Sequence, residues 1–156
     1  MIKQLSQKKI KENWNKYKKI IETAFTGTEG GNILTTGGTN DIYKDIYGRL
    51  LNPFNTNMHL WSEDEEKYLL LTQLQECEFT YKKTLVLVAS TRLIDMEDQE
   101  KMRWYYDSYK IISKFAKENE CVGMFCYSDL DYFAEMAETT KEWSNVITRY
   151  QFYFPL

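Results

Sequence analysis

The chain has 156 residues, 43% hydrophobic and 15% aromatic, with 20 Lys and Arg against 23 Asp and Glu, a formal net charge of −3. That is enough for one domain with its own core, and the composition excludes a disordered or collagen-like chain. No run of 18 apolar residues is present, and Met1 to Lys19 is lysine-rich without the apolar centre of an export signal, so the expected location is the cytoplasm, away from any membrane.

The first predicted element is a basic helix within 1–25, running from about Ser6 to Phe25. Ile10, Trp14, Tyr17, Ile21 and Ala24 share one face and lysines fill the remainder. Met1 to Ile20 holds seven lysines against Glu12, a net +6, which leaves −9 for the rest of the chain. Such asymmetry marks contact with nucleic acid or another polyanion. A solvated helix face gives the same pattern, and the lack of arginine here favours it.

Residues 26–40 contain five of the seven glycines. Without a G-K-[ST] ending or a preceding strand they read as a connecting loop, or a flap over a cleft, rather than a phosphate cradle. Asn40 or Asp41 then caps a short helix with Ile42, Ile46 and Leu50 at four-residue steps, and Asn52-Pro53 ends it.

Two or three antiparallel strands follow. NMHLW (57–61) is a candidate strand, SEDEEK an acidic turn, 68–79 a long strand and TYKK a tight connection. In the long strand, Leu69, Leu71, Gln73 and Gln75 alternate with Leu70, Thr72, Leu74 and Glu76, which predicts one partly polar face, suited to a cleft wall. The apolar run Leu85 to Val88 predicts a buried strand over 84–93. Met102, Tyr109, Ile112, Phe115 and Ala116 give a helical stripe within 95–120, and CVGMFCY (121–127) is a second strand. A strand, crossover helix and parallel strand place ligands near the carboxyl end of the first strand, so Ser90 to Glu100 is the region of interest. A helix from Asp129 and a closing strand over 146–154 complete the chain.

Cys77, Cys121 and Cys126 are an odd number without C-x-x-C spacing and fall in predicted strands, so buried reduced thiols and no metal site are expected. His59, the single histidine, sits beside Leu60 and Trp61 and reads as a packed residue. Ser-His-Asp or Cys-His chemistry would have to run through it, and no nucleophile elbow accompanies it.

The element order gives an α/β (α+β) fold: a mixed, mostly antiparallel central sheet with a parallel strand pair and flanking helices, in a single domain over 1–156. In Leu60-Trp61, LLLTQLQ, KKTLVLV, FAKENEC and RYQFYF, spanning about Leu50 to Phe154, the chain resembles the GCN5-related N-acetyltransferase (GNAT) fold, and more narrowly small acetyltransferase-like proteins encoded by bacteriophages. The resemblance implies acetyl-CoA as cofactor, held along Val86, Val88 and Ser90 by strand-like hydrogen bonds, with Arg92 and Arg103 on its phosphates. The family's phosphate loop, Q/R-x-x-G-x-G/A, corresponds here to STRLIDMEDQEK. That segment has no glycine and carries Asp95, Glu97, Asp98 and Glu100, offset by Arg92, Lys101 and Arg103. Met136 falls in the slot of the family's general-acid tyrosine, leaving Tyr132 or Tyr127 to substitute, with Glu76 or Glu78 as general base.

This departure from the pattern keeps a non-catalytic reading open. The same fold would then serve as a virion component, head-associated for example, or as an inhibitor of a host protein; a third reading, outside the family, is a phage neck or tail-completion module with the hairpin Tyr68 to Arg92 as its assembly surface. Twelve Tyr, four Trp and eight Phe exceed what one small core needs, which implies a protein partner. The location would be the host cytoplasm or the virion.

Overall fold

Ser6 sets the entry to the first helix. Its Oγ accepts a hydrogen bond from the Lys9 backbone N–H at 3.2 Å, an N-cap that satisfies one of the free donors of the first turn. The computed structural model describes residues 1–26, 42–54, 56–63, 68–92 and 98–126; the predicted helix from Asp129 and the closing strand lie outside them. Among the described residues, helix α1 spans Gln7–Thr26, α2 Ile42–Leu51 and α3 Asp98–Glu118. The strands are β1 (Lys3–Gln4), β2 (Met58–Ser62), β3 (Tyr68–Glu76), β4 (Lys83–Arg92) and β5 (Cys121–Cys126).

The five strands form one sheet in chain order, antiparallel from β1 to β4, with β5 parallel to β4. α1 and α2 cover one face, where Ile10, Tyr17, Ile21, Ile46 and Leu50 pack on Leu60, Leu69 and Leu71. α3 covers the other, where Ile112 and Ala116 pack on Trp61, Leu70 and Leu85. β1 was not expected. Ile2 and Leu5 are the only apolar residues there beyond Met1, yet Ile2 is buried in the α3-side cluster and Leu5 in the other, so two residues pin the chain start to both faces.

α1 is one element with a kink. Asn13 leaves helical geometry (φ −119°, ψ 17°), and its Nδ2 donates to the Lys9 carbonyl at 3.1 Å, so a side chain takes over an acceptor in the helical ladder.

β3 corrects the expected cleft wall. Tyr68 to Thr72 are all buried, whereas Gln75 and Glu76 are both exposed, so polarity changes along the strand rather than between its faces. The reason is coverage: among the described residues, helices lie over both faces of the first half of the strand. The strand also ends at Glu76, before the predicted Phe79. Cys77 accepts hydrogen bonds at its carbonyl from the backbone N–H groups of Thr80 (3.3 Å) and Tyr81 (2.7 Å), closing a turn with Tyr81 in the left-handed region at φ 54°. Cys77 is therefore exposed and outside any strand, and Cys121 is half-buried, against the expectation of buried thiols. Hydrogen bonding from Thr80 lowers the pKa of the Cys77 thiol, whereas burial raises that of Cys121. No helix among the described residues is long and apolar enough to cross a membrane.

Candidate functional site

The irregularity that shapes the sheet lies in the middle of β4. Leu71 pairs with Ala89 and Thr72 with Leu87, so Val88 is an extra residue, a β-bulge, opposite the β3 ladder. A bulge bends its strand and sharpens its twist, and it redirects whatever follows. On the other side of β4, the described parallel pairing with β5 runs from Lys83↔Cys121 only to Leu87↔Cys126. β4 continues through Val88 to Arg92, paired with β3 as far as Tyr68↔Arg92. The bulge therefore bends β4 just before its last four residues, and the described part of β5 ends at Cys126, level with Leu87.

Val86 is buried and lies between Leu85, packed on the α3 side, and Leu87. Val88 is half-buried against the α1 and α2 cluster. Their side chains hold the strand in place, which leaves the backbone as the part of β4 able to bind. Ser90 and Arg92 lie on the extension beyond the bulge, at the register positions opposite Leu70 and Tyr68. Arg103 is exposed, within the first two turns of α3. The structure thus brings Val86, Val88, Ser90 and Arg92 onto one strand. Glu76 is exposed at the opposite end of the sheet, paired with Lys83. Five strand steps separate Lys83 from Val88, roughly 16 Å, so Glu76, and Glu78 in the turn beyond it, are not brought to the bulge. Tyr127 and Tyr132 lie outside the described residues, as do Asp95, Glu97 and residues 93–97 generally.

Sequence reasoning missed the aromatic clamp that seats α3. Tyr68 stacks on Trp104 with ring centroids 4.0 Å apart and planes 20° from parallel, beside the end of β4. Phe115 presents its ring edge-on to His59 and Trp61 at 4.9 and 5.0 Å. Trp61 Nε1 donates to Thr72 Oγ1 at 2.9 Å in the buried layer between them. Aromatic density in 104–115 was the available signal.

His59 is a packed residue. It is 9% exposed, and the Gln4 amide Nε2 lies 3.0 Å from its Nδ1, a donor that suits the neutral ring protonated on Nε2. Burial pushes its pKa below the ordinary 6.5, only partly opposed by a hydrogen bond with the Thr56 backbone. A depressed folded-state pKa means that the stabilisation is complete above the unfolded value and is lost as pH falls through it towards the folded value. Thermal melts at pH 7.5 and 5.5 should therefore show a drop in the parent that is clearly smaller in His59→Asn. Equal drops would place the acid sensitivity elsewhere.

Solved structures share this architecture from end to end. An aminoglycoside acetyltransferase from an uncultured soil metagenomic sample, in complex with sisomicin, superposes with a TM-score of 0.65 at 14% identity, covering 100% of this chain and 95% of that one. The chain has the GNAT fold. A second soil-metagenome aminoglycoside acetyltransferase matches this GNAT architecture with a TM-score of 0.58 at 10% identity, over 100% of this chain and 97% of that chain. A GNAT family acetyltransferase from Staphylococcus aureus does so at 0.55 and 12% identity, over 100% and 98%. No family model matches the sequence. No curated protein matches it either. The GNAT likeness is thus carried by the fold, with its element order and parallel β4–β5 pair, not by residue identity.

Proposed function

We propose that the chain binds acyl-CoA along β4 at and beyond the bulge and transfers the acyl group to a small amine. The observation that carries this is the bulge at Val88, which bends the strand edge of β4 and is followed by four more residues paired with β3. An extended ligand bearing amides meets such an edge as a strand would, by main-chain hydrogen bonds. Acyl-CoA, when bound, supplies an activated thioester carbonyl. The chain's own part is to hold that ligand on the backbone of Val88 to Ser90 and to set Arg92 and Arg103 towards its phosphates. Tyr127 or Tyr132 would return a proton to the departing thiolate. Glu76 is too far along β3 to take a proton directly from an amine at Val88, so the acceptor would lose its proton to water or arrive neutral. Asp95, Glu97, Asp98 and Glu100 oppose a diphosphate electrostatically, which predicts weak rather than tight binding. Two neighbours of this fold are aminoglycoside acetyltransferases, which makes polyamine-like acceptors the first class to assay.

Calorimetric titration with acetyl-CoA and with CoA tests this. Micromolar binding that weakens about tenfold in Arg103→Ala, the worth of one hydrogen bond to a charged group at about 1.5 kcal/mol, supports it. The absence of heat at millimolar ligand overturns it. A second reading rests on a different observation: Phe79 and Tyr81, at the tip of the β3–β4 turn, are 91% and 76% exposed, and Phe54 is 92% exposed. Apolar rings held in solvent support a protein partner, in which case the fold acts by binding, as a virion component or a host-protein inhibitor of bacteriophage origin.

A further inference from the structure

A shallow cleft of about 610 Å³ opens between α1 and α2. Ile10, Tyr17, Ile21, Ile46 and Leu50 turn the other sides of these helices to the sheet, so α1 stands between the cleft and β4. Four lysines line it, Lys11, Lys16, Lys18 and Lys44, against the single carboxylate of Glu12. Aromatic rings alternate with them. Trp14 and Tyr47 are half-buried, with centroids 4.7 Å apart and planes tilted by 35°, and Lys18 Nζ stands 5.4 Å over the ring of Tyr43. The kink at Asn13 falls in the lining, where α1 changes direction beside Trp14.

The sequence marked the helix as basic, and lysines on a solvated face would account for that alone. They would not account for the lysines being gathered, with three aromatic residues, around one concavity. Lysines attract a polyanion, and half-buried rings offer flat surfaces on which bases stack. Lys11 and Lys18 are seven residues apart, about 10 Å along a helix, enough to meet successive phosphates of an extended strand. An acidic peptide would use the charges and draw nothing from the flat faces of the rings. A duplex would need an element that enters a groove, and the cleft is concave without an arginine in its lining. We infer that the cleft between α1 and α2 binds single-stranded nucleic acid, with lysines on the phosphates and Trp14 and Tyr47 under the bases. This binding is independent of acyl transfer, because the cleft shares no residue with β4.

The test is fluorescence anisotropy of the whole chain with a labelled oligothymidylate of about ten nucleotides, at about 20 to 200 mM salt. The expected result is micromolar binding at low salt with a log–log salt slope of about −2 to −3, the value for three or four phosphates on a single strand. The combined change Lys11→Gln, Lys16→Gln, Lys18→Gln and Lys44→Gln, all on the surface, should flatten the slope and weaken binding more than tenfold. Trp14→Ala should weaken it about tenfold at an unchanged slope, with Trp14→Phe retaining most of the affinity should the alanine variant fold poorly. Binding by the lysine variant equal to that of the parent overturns the inference. So does displacement by polyglutamate at matched charge, which would make the occupant an acidic peptide, and so does preference for a duplex.

Discussion

Deleting Val88 should abolish acyl-CoA binding without unfolding the protein, with affinity falling about a hundredfold. The deletion is informative because of parity. Leu87 pairs with Thr72 and Ala89 with Leu71, so removing the residue between them restores a regular ladder and leaves every other β4 residue on its present face. The only packing lost is that of one half-buried valine. Straightening the strand removes the bend, and with it the backbone geometry in which two or three main-chain hydrogen bonds to the ligand, each worth about 1 kcal/mol, would form. Calorimetry with acetyl-CoA beside a thermal melt separates the outcomes: a folded variant that binds like the parent would remove the bulge from the site.

The largest effect on stability is expected at Tyr17. Its side chain is 0% exposed and sits where α1 meets the sheet, among Ile10, Ile21 and Leu60. Truncation leaves a cavity that neighbours fixed in a sheet and a second helix fill poorly, so Tyr17→Ala should lose about 3–5 kcal/mol, and for a domain of this size melt roughly 10 °C lower. Tyr17→Phe keeps the ring and should stay within about 1.5 kcal/mol of the parent. Denaturant unfolding of both variants checks the ranking; equal losses would move the effect from the ring to the hydroxyl.

The fold was largely legible because its signals are periodic. Ile42, Ile46 and Leu50 repeat at helical spacing, and Ile46 and Leu50 are buried as that spacing requires. Leu85 to Val88 read as a covered strand, and helices do lie on both its faces. β1 was not legible, since two residues carry no period and their pairing with Trp61 and Ser62 is decided some sixty positions away. The bulge was not legible either. Bulges often declare themselves by glycine, and the sequence around Val88 is an unbroken run of apolar residues. What fixes the extra residue is the mismatch of two ladders, a tertiary fact. The distance of Glu76 from Val88 was not legible for a related reason: periodicity tells which residues share a face but not how far along the strand a site will open. The basic helix was visible as charge, whereas the cleft needed α2, which brings Tyr43, Lys44 and Tyr47 beside it.

Sheet order that equals chain order has a consequence for how the protein is made. Each strand can join the growing edge as it emerges during synthesis, with one exception at the start. Lys3 must wait for Ser62, whereas Glu76 meets Lys83 across a six-residue turn. Loop closure favours the short connection, so the β3–β4 hairpin is the natural nucleus, and Lys3 and Gln4 are among the last to be pinned. Until then α1, with its lysines and its apolar stripe, is a free amphipathic helix on the nascent chain. Its buried side, Ile10, Tyr17 and Ile21, is a segment that a chaperone would cover in the meantime.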